Sequence, residues 1–472
     1  MSSKAALTLC WRPASSISVS SPSARQNPTW RTLASRSAVN TASQARVLSS
    51  SFPLIAAVGV MIGLGIFRTP GEVASAFPSV EAYLAVWVGG GLFVILNTLV
   101  IRELMCLTER SGGSYALVYR GLGPLPAFVV GWVDWMSWVA TIALKAVVFA
   151  EFLALLVPAM AAMQGVISVV VILVFALLQL LGLHVGARIQ TWASVGLLAI
   201  VLFSTMALFW IGPQELVAAE SVRLVDPTLA VLGLAVASVV FTYDGWLSGT
   251  LFGGEVSDGG RAVAIGSLRA VIIIALLFTA LNAALVYALP LQDIASSEFP
   301  LQVAVSQAIG SMGGSIMLLV ILAVLLAGIN LAFLGSPRIL QALSEDGLGV
   351  GGAEKMSGLG NPVAAAIITA AVSLVMVLFG GFNSLLNMTA LLFIMIYVIL
   401  VLCVVVLRRK EPHAPRAVKA WAYPWSLIVA FVGWTAIGLF IGIAAPETAW
   451  VCVGIALVAV PAYRLRSRPA RE

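Results

Sequence analysis

Charge is what this chain has least of. Of its 472 residues only 10% are Asp, Glu, Lys or Arg, and just two are histidine. So thin a polar complement excludes a soluble globular domain, which needs charged and polar side chains at its water-facing surface. His184 and His413 both fall in connections between apolar runs. No apolar run carries an acid–His pair, a Ser–His arrangement or a His-Glu-x-x-His motif, so the usual equipment of an intramembrane enzyme is missing. Four cysteines, Cys10, Cys106, Cys403 and Cys452, are too scattered for a disulfide framework or a metal cluster. Neither a metal nor another cofactor is expected. The net charge of +6 gathers into no nucleic-acid module, and no nucleic-acid partner is expected.

What is present is hydrocarbon: 61% of the residues are hydrophobic. Apolar runs lie near residues 52–76, 82–107, 124–156, 165–183, 189–212, 228–253, 264–289, 313–343, 362–380, 384–407, 423–444 and 448–465. Each is long enough to cross a bilayer core about 30 Å thick. The expectation is an all-α integral membrane protein of twelve transmembrane helices over residues 51–466, with the lipid bilayer as its surroundings. Residues 1–50 form a Ser/Arg-rich segment without a single acid, expected to be disordered. That composition fits a cytoplasmic tail or a misassigned start, and also an organelle transit peptide. Residues 467–472 read as a short tail.

The few charges are sorted by side. Arg102, Arg110, Arg120, Arg188, Arg261, Arg269, Lys355, Arg408, Arg409, Lys410, Arg416 and Lys419 lie in or beside the even-numbered connections. The odd-numbered ones carry Arg223 against Glu81, Glu215, Glu220, Asp226, Asp293, Glu298 and Glu447. The positive-inside rule then places both termini in the cytoplasm, in a cell membrane crossed many times.

Two runs break the pattern of an ordinary span. The first contains Val60-Met61-Ile62-Gly63-Leu64-Gly65-Ile66-Phe67, with two glycines at its centre. Each glycine weakens a helix by about 1 kcal/mol relative to alanine. Unwound backbone at membrane depth survives only where it is buried in protein or lines a water-filled cavity. The amides of Gly65, Ile66 and Phe67 would open a second half-helix suited to a carboxylate. The carbonyls of Val60, Met61 and Ile62 would close the first half and suit an ammonium group. Close helix packing is the alternative use of such glycines. The sixth run, Phe241-Thr242-Tyr243-Asp244-Gly245-Trp246, places an acid and a glycine mid-membrane, five spans after the first break. Discontinuous spans in corresponding positions of two halves are the best sequence pointer to a midplane substrate site.

The third run carries Asp134, Trp138, Thr141 and Lys145 at steps of 4, 3 and 4, one stripe on a helix. Asp134 and Lys145 stand roughly 16 Å apart along the axis, too far to pair. A lysine at mid-span needs a wet cavity or a carboxylate on another span. Lys145 is therefore a candidate pathway cation and proton carrier, or half of a structural pair. Asp134 and Thr141 share its face.

Gly63-Leu64-Gly65-Ile66-Phe67 with Thr69-Pro70 resembles the glycine-rich motif of the amino acid–polyamine–organocation permease superfamily, in its L-type amino acid transporter branch and bacterial relatives. Ser111-Gly112-Gly113-Ser114-Tyr115, Gly186-Ala187-Arg188-Ile189-Gln190, Phe241 to Trp246 and Glu345-Asp346-Gly347 resemble further motifs in the family's order. The resemblance implies a five-plus-five inverted repeat with discontinuous helices 1 and 6, two added helices, and alternating access. It implies carboxylate recognition at Gly63, Gly65 and Ile66, and ammonium recognition by the carbonyls of Met61, Phe241 and Tyr243, with Ile62 and Leu64 in the same loop. Phe241 or Tyr243 would shield the substrate, and Asp244 would orient its amine or serve a coupling cation.

Three departures limit what the resemblance implies, two of them about coupling and one about a partner chain. Proton-coupled relatives place a lysine in the fifth span, where this chain reads Val195-Gly196-Leu197-Leu198. Sodium-coupled relatives use hydroxyls in the eighth, where Ile329-Asn330-Leu331-Ala332-Phe333 has none. The loop Val157 to Gly165 lacks the cysteine of heteromeric members, so no disulfide-linked heavy chain is expected. The expectation is a permease or exchanger for an amino acid, preferably neutral, driven by exchange or protons. Transport of cationic amino acids or polyamines, and a non-transporting nutrient sensor on the same scaffold, stay open beside it.

Overall fold

The computed structural model describes residues 46–108, 110–212, 228–379, 381–414 and 416–466. Most of the N-terminal Ser/Arg-rich segment, the connection 213–227 and the tail 467–472 lie outside the described residues. Among the described residues all regular structure is helical, apart from one isolated parallel bridge between Leu48 and Val256.

The first apolar run forms not one helix but two, α1 (Phe52–Met61) and α2 (Gly65–Ala76), bent by 45° across Ile62, Gly63 and Leu64. The chain then continues through α3 (Val80–Cys106), the short α4 (Gly113–Leu122) and the long α5 (Pro124–Leu156). Ser79 caps α3 by accepting from the Ala82 amide at 3.2 Å, and Pro124 opens α5, where a missing N–H costs nothing. Next come α6 (Gln164–Leu178), α7 (Leu183–Ile211) and α8 (Leu229–Thr242). After α8 the chain unwinds through Tyr243 to Leu247, makes a short 3-10 turn at Ser248–Phe252, and re-enters a helix only at α9 (Gly259–Ala288). The sixth run thus breaks where its acid–glycine pair predicts, but its second part is turns and 3-10 backbone rather than a matching α-helix.

The remaining helices are α10 (Leu291–Ser296), α11 (Pro300–Ile309), α12 (Ser311–Glu345), α13 (Val363–Phe379), α14 (Phe382–Lys410), α15 (Trp425–Ala444) and α16 (Pro446–Arg466). Among the described residues nine helical segments are each long and apolar enough to cross a bilayer, ten spans if α1 with α2 counts as one, and α8 and α13 are shorter apolar helices. The apolar stretches of α12 and α14 are each 67% enclosed by the rest of the chain and that of α5 61%, against 11% for α16. The long helices α5, α12 and α14 therefore form the centre, and α16 presents its apolar side outward.

The basic connections are stitched by ion pairs. Glu103, at the end of α3, is buried and takes Arg408 at 2.6 Å, Arg416 at 2.7 Å and the Ala420 amide at 2.7 Å. Arg338 on α12, only 1% exposed, meets Glu255 at 2.8 Å. Arg110 reaches Asp346 at 2.7 Å and Glu345 at 3.2 Å, and the Tyr115 hydroxyl also donates to Asp346. Burial penalises the Arg110 charge, but the two acids outweigh it and hold its pKa above the usual value.

Candidate functional site

The two broken runs cross each other at their breaks. Gly65, the first residue of α2, lies against Thr242, the last of α8: a Cβ on Gly65 would stand 2.6 Å from Thr242 Oγ1 and 3.1 Å from its Cγ2. Thr69, one turn along α2, shares a 2.9 Å hydrogen bond between its hydroxyl and that of Thr242. In the other direction, Gly245 has φ of 112°, a conformation glycine reaches without strain. A Cβ there would run into the Val60 side chain and stand 3.2 Å from the Met61 amide. Each break is therefore seated on the other through a glycine.

Unwinding leaves backbone groups without intrahelical partners. The amides of Gly65 and Ile66 open α2 and have no carbonyl one turn back within it. The Met61 carbonyl accepts from the Gly63 amide at 2.8 Å, and that of Phe241 from the Asp244 amide at 3.0 Å. The Met61 carbonyl keeps a second lone pair, whereas that of Phe241 is also within reach of the Tyr243 amide. Donors at the start of one half-helix and acceptors at the ends of two others thus face the same gap, an arrangement fit for a zwitterion.

The gap is a cavity of about 230 Å³. Of the residues singled out in the sequence, Met61, Gly63, Leu64, Gly65, Phe241, Asp244, Asp134, Thr141 and Lys145 line it. Three do not. The side chains of Ile62 and Ile66 are fully buried in the surrounding core, so only their backbone could serve the gap. Tyr243 does not shield the cavity: its ring turns away, edge-on to Trp87, and its hydroxyl donates to the Trp87 carbonyl at 3.1 Å. The helix ends at Thr242, so the next side chain leaves on the opposite side of the turn, and Phe241 is left as the cavity-facing aromatic.

Asp134 has a partner that its spacing on α5 could not reveal. Its carboxylate accepts from the Ser114 amide at 2.9 Å and so caps the start of α4, within the Ser111–Tyr115 motif. Thr141 donates to the Ser137 carbonyl at 2.8 Å. Lys145 makes no hydrogen bond or ion pair with any described residue, and Asp244 acts on it only through space. Asp244 itself accepts from the Tyr397 hydroxyl. Tyr397 is held in place between Trp246, stacked at 5.5 Å, and Trp434 at 4.5 Å.

Several lining residues carried no sequence signal. Tyr397, Phe393 and Asn387 come from α14, whose pattern is apolar nearly all round, and Thr242 looked like an ordinary helical threonine. Span eight contributes only Leu325. Arg68, beyond the glycine motif, lines the acidic end, pairs with Glu298 at 3.3 Å and Glu72 at 3.5 Å, and lies over the Phe382 ring at 4.9 Å. Among the described residues no cluster of His, Cys, Asp and Glu could hold a metal ion.

With this geometry in place, comparison with known proteins is informative. Residues 52–462 match the family model described as amino acid permease. The chain is 24% identical to the serine/threonine exchanger SteT of Bacillus subtilis over 388 residues, 81% of this chain and 88% of that one. It is 24% identical to the large neutral amino acids transporter small subunit 2 of Mus musculus over 428 residues, 86% and 78% of the two chains. A shorter stretch of 75 residues is 36% identical to the human b(0,+)-type amino acid transporter 1, 16% of this chain and 15% of that one. A multi-pass membrane protein whose family match spans both helix breaks is a transporter rather than an enzyme, and the chain belongs to the amino acid permease family.

Proposed function

We propose that this chain carries a neutral amino acid across the cell membrane by alternating access, with twelve spans arranged as a five-plus-five inverted repeat plus two, and both termini cytoplasmic. The observation that carries this reading is the crossing of two helix breaks over one cavity, Gly65 seated on Thr242 and Gly245 on Val60. The substrate carboxylate takes the amides of Gly65 and Ile66 at the start of α2, with Gly63 and Leu64 giving the loop its approach. The ammonium group takes the free lone pair of the Met61 carbonyl, the Phe241 carbonyl oxygen and the Asp244 carboxylate, which Tyr397 orients. Phe241 covers the bound molecule.

Two relatives support an uncharged substrate by their names, one a serine/threonine exchanger and one a transporter of large neutral amino acids. Exchange or a proton gradient drives the movement, and Lys145 is the cavity group through which a proton would act. Counterflow in proteoliposomes tests the reading: purified protein loaded with unlabelled amino acids should accumulate labelled amino acid, with no disulfide-linked partner added. Binding without flux would make it a sensor instead. Lys145→Ala with unchanged rate and pH dependence would remove the proton from the mechanism.

A further inference from the structure

The polar groups around the cavity divide into those already engaged and those that are not. Thr141 donates to Ser137, Thr389 to the Leu385 carbonyl at 2.8 Å, and Thr242 to the Ser238 carbonyl at 2.8 Å. Asp134 is occupied by the Ser114 amide and Asp244 by the Tyr397 hydroxyl. Four side chains remain that line the cavity and make no hydrogen bond or ion pair with any described residue: the hydroxyls of Ser238 and Ser248, and Lys145 on α5 and Asn387 on α14, the last two on facing spans.

These two groups lie at one depth. Trp138 of α5 meets Phe393 of α14 edge-on at 5.6 Å. The two spans run in opposite directions, so counting forward on one matches counting backward on the other. Lys145 is seven residues beyond Trp138, and Asn387 six residues before Phe393. At 1.5 Å per residue both stand about 10 Å from that contact, on the same side of it. The lysine also has a prepared seat. Its ammonium end and stem lie over Gly328 of α12, where a Cβ would run into Lys145 Nζ and stand 3.0 Å from Cδ and Cε. Any larger residue at 328 would displace the lysine from the gap.

On the reading of this cavity as an amino acid site, we propose that Lys145 and Asn387 select the substrate by its side chain, and that the side chain is an uncharged hydrogen-bonding one, an amide or a hydroxyl. An aliphatic side chain at this level would strip water from an ammonium and a carboxamide and offer neither a partner, leaving polar groups buried bare. A cationic side chain meets the Lys145 charge directly. A carboxylate would add a further negative charge to a cavity already lined by Glu72, Asp134 and Asp244 against Arg68 and Lys145. An amide or hydroxyl oxygen accepts from Lys145, and Asn387 can donate or accept as the ligand requires. A site built to hydrogen-bond a ligand discriminates strongly against analogues that lack the group.

The test is the concentration of each ligand needed to raise the melting temperature of the purified protein halfway to its limit. The probes are L-serine, L-asparagine, L-glutamine, L-aspartate, L-valine, L-leucine, L-lysine and L-arginine. The wild-type protein should favour the amide or hydroxyl ligands over valine and leucine by on the order of tenfold to a hundredfold, and should respond least to lysine and arginine. Lys145→Met and Asn387→Leu should each shrink that preference, with leucine gaining in absolute affinity. A wild-type ranking with leucine or arginine at or above glutamine and serine overturns the proposal while leaving an amino acid site. An unchanged ranking in both variants removes these residues from selection. A protein that responds to none of the eight overturns the amino acid site as well.

Discussion

The centre of this molecule and its basic end treat polarity in opposite ways. At the basic end every buried charge described above has a counterpart: Glu103 with Arg408 and Arg416, Arg338 with Glu255, Arg110 with Asp346. In the cavity the helices stop, the Met61 carbonyl keeps a free lone pair, and Lys145 and Asn387 have no partner among the described residues. One end is built by adding charges in pairs. The centre is built by leaving atoms out, at Gly63, Gly65, Gly245 and Gly328. Unpaired polar groups persist in a folded protein where something else completes them, and the contrast thus marks where a ligand belongs.

The comparison predicts opposite signs for similar substitutions. Arg338→Met leaves Glu255 buried without its counter-charge and should cost about 3–5 kcal/mol, read as a large fall in melting temperature. Lys145→Met also removes a buried cation, but one with no bonded partner, and should leave the melting temperature unchanged or raise it. Equal falls in the two variants would erase the distinction. Gly65→Ala should come next, since overpacking against Thr242 costs about 1–3 kcal/mol and should slow uptake on the order of tenfold. Adding Thr242→Ala removes the 2.6 Å clash and should restore part of the rate; no recovery would mean that Gly65 matters for another reason.

Further effects follow. Tyr397→Phe deprives Asp244 of a hydrogen bond worth about 1.5–3 kcal/mol to a charged group. It should raise KM for uptake more than it lowers stability. Least of all is Glu411→Gln at the basic end, where the half-exposed pair with Arg120 should contribute under about 1 kcal/mol. The Arg120 hydrogen bond holds the Glu411 carboxyl below its usual pKa. A depressed pKa stabilises the fold above the unfolded value of about 4.3, and the benefit is lost as pH falls through the folded value. The difference in melting temperature between wild type and Glu411→Gln should accordingly be present at neutral pH and vanish in acid.

Much of this was legible in the sequence because membranes make local rules strict. Two glycines one residue apart, Gly63 and Gly65, and an acid–glycine pair at Asp244 and Gly245, have few uses in hydrocarbon, and both mark breaks in the structure. Lys145 stood out for the same reason. Tertiary packing hid the rest. Asp134 lines the cavity as its stripe suggests, but the start of α4 that it also caps is 20 residues away in sequence. Tyr243 and Phe241 are two residues apart, and which one faces the gap depends on where α8 ends. Asn387 and Tyr397 sit in a helix so uniformly apolar that no face could be chosen from its pattern. The missing second α-helix of the sixth run goes with Gly245, whose φ of 112° lies outside the right-handed helical region, and with the 3-10 turn at Ser248–Phe252.

The most direct test of the central claim compares wild-type protein with Gly65→Val in proteoliposomes at equal reconstitution, measuring counterflow of a labelled amino acid. Valine at 65 would press on Thr242 and cover the amides at the start of α2. The account predicts robust counterflow for the wild type and none for the variant, which should still insert and remain monodisperse. Near-normal counterflow by Gly65→Val would contradict a grip made by bare backbone at the crossing of the two breaks.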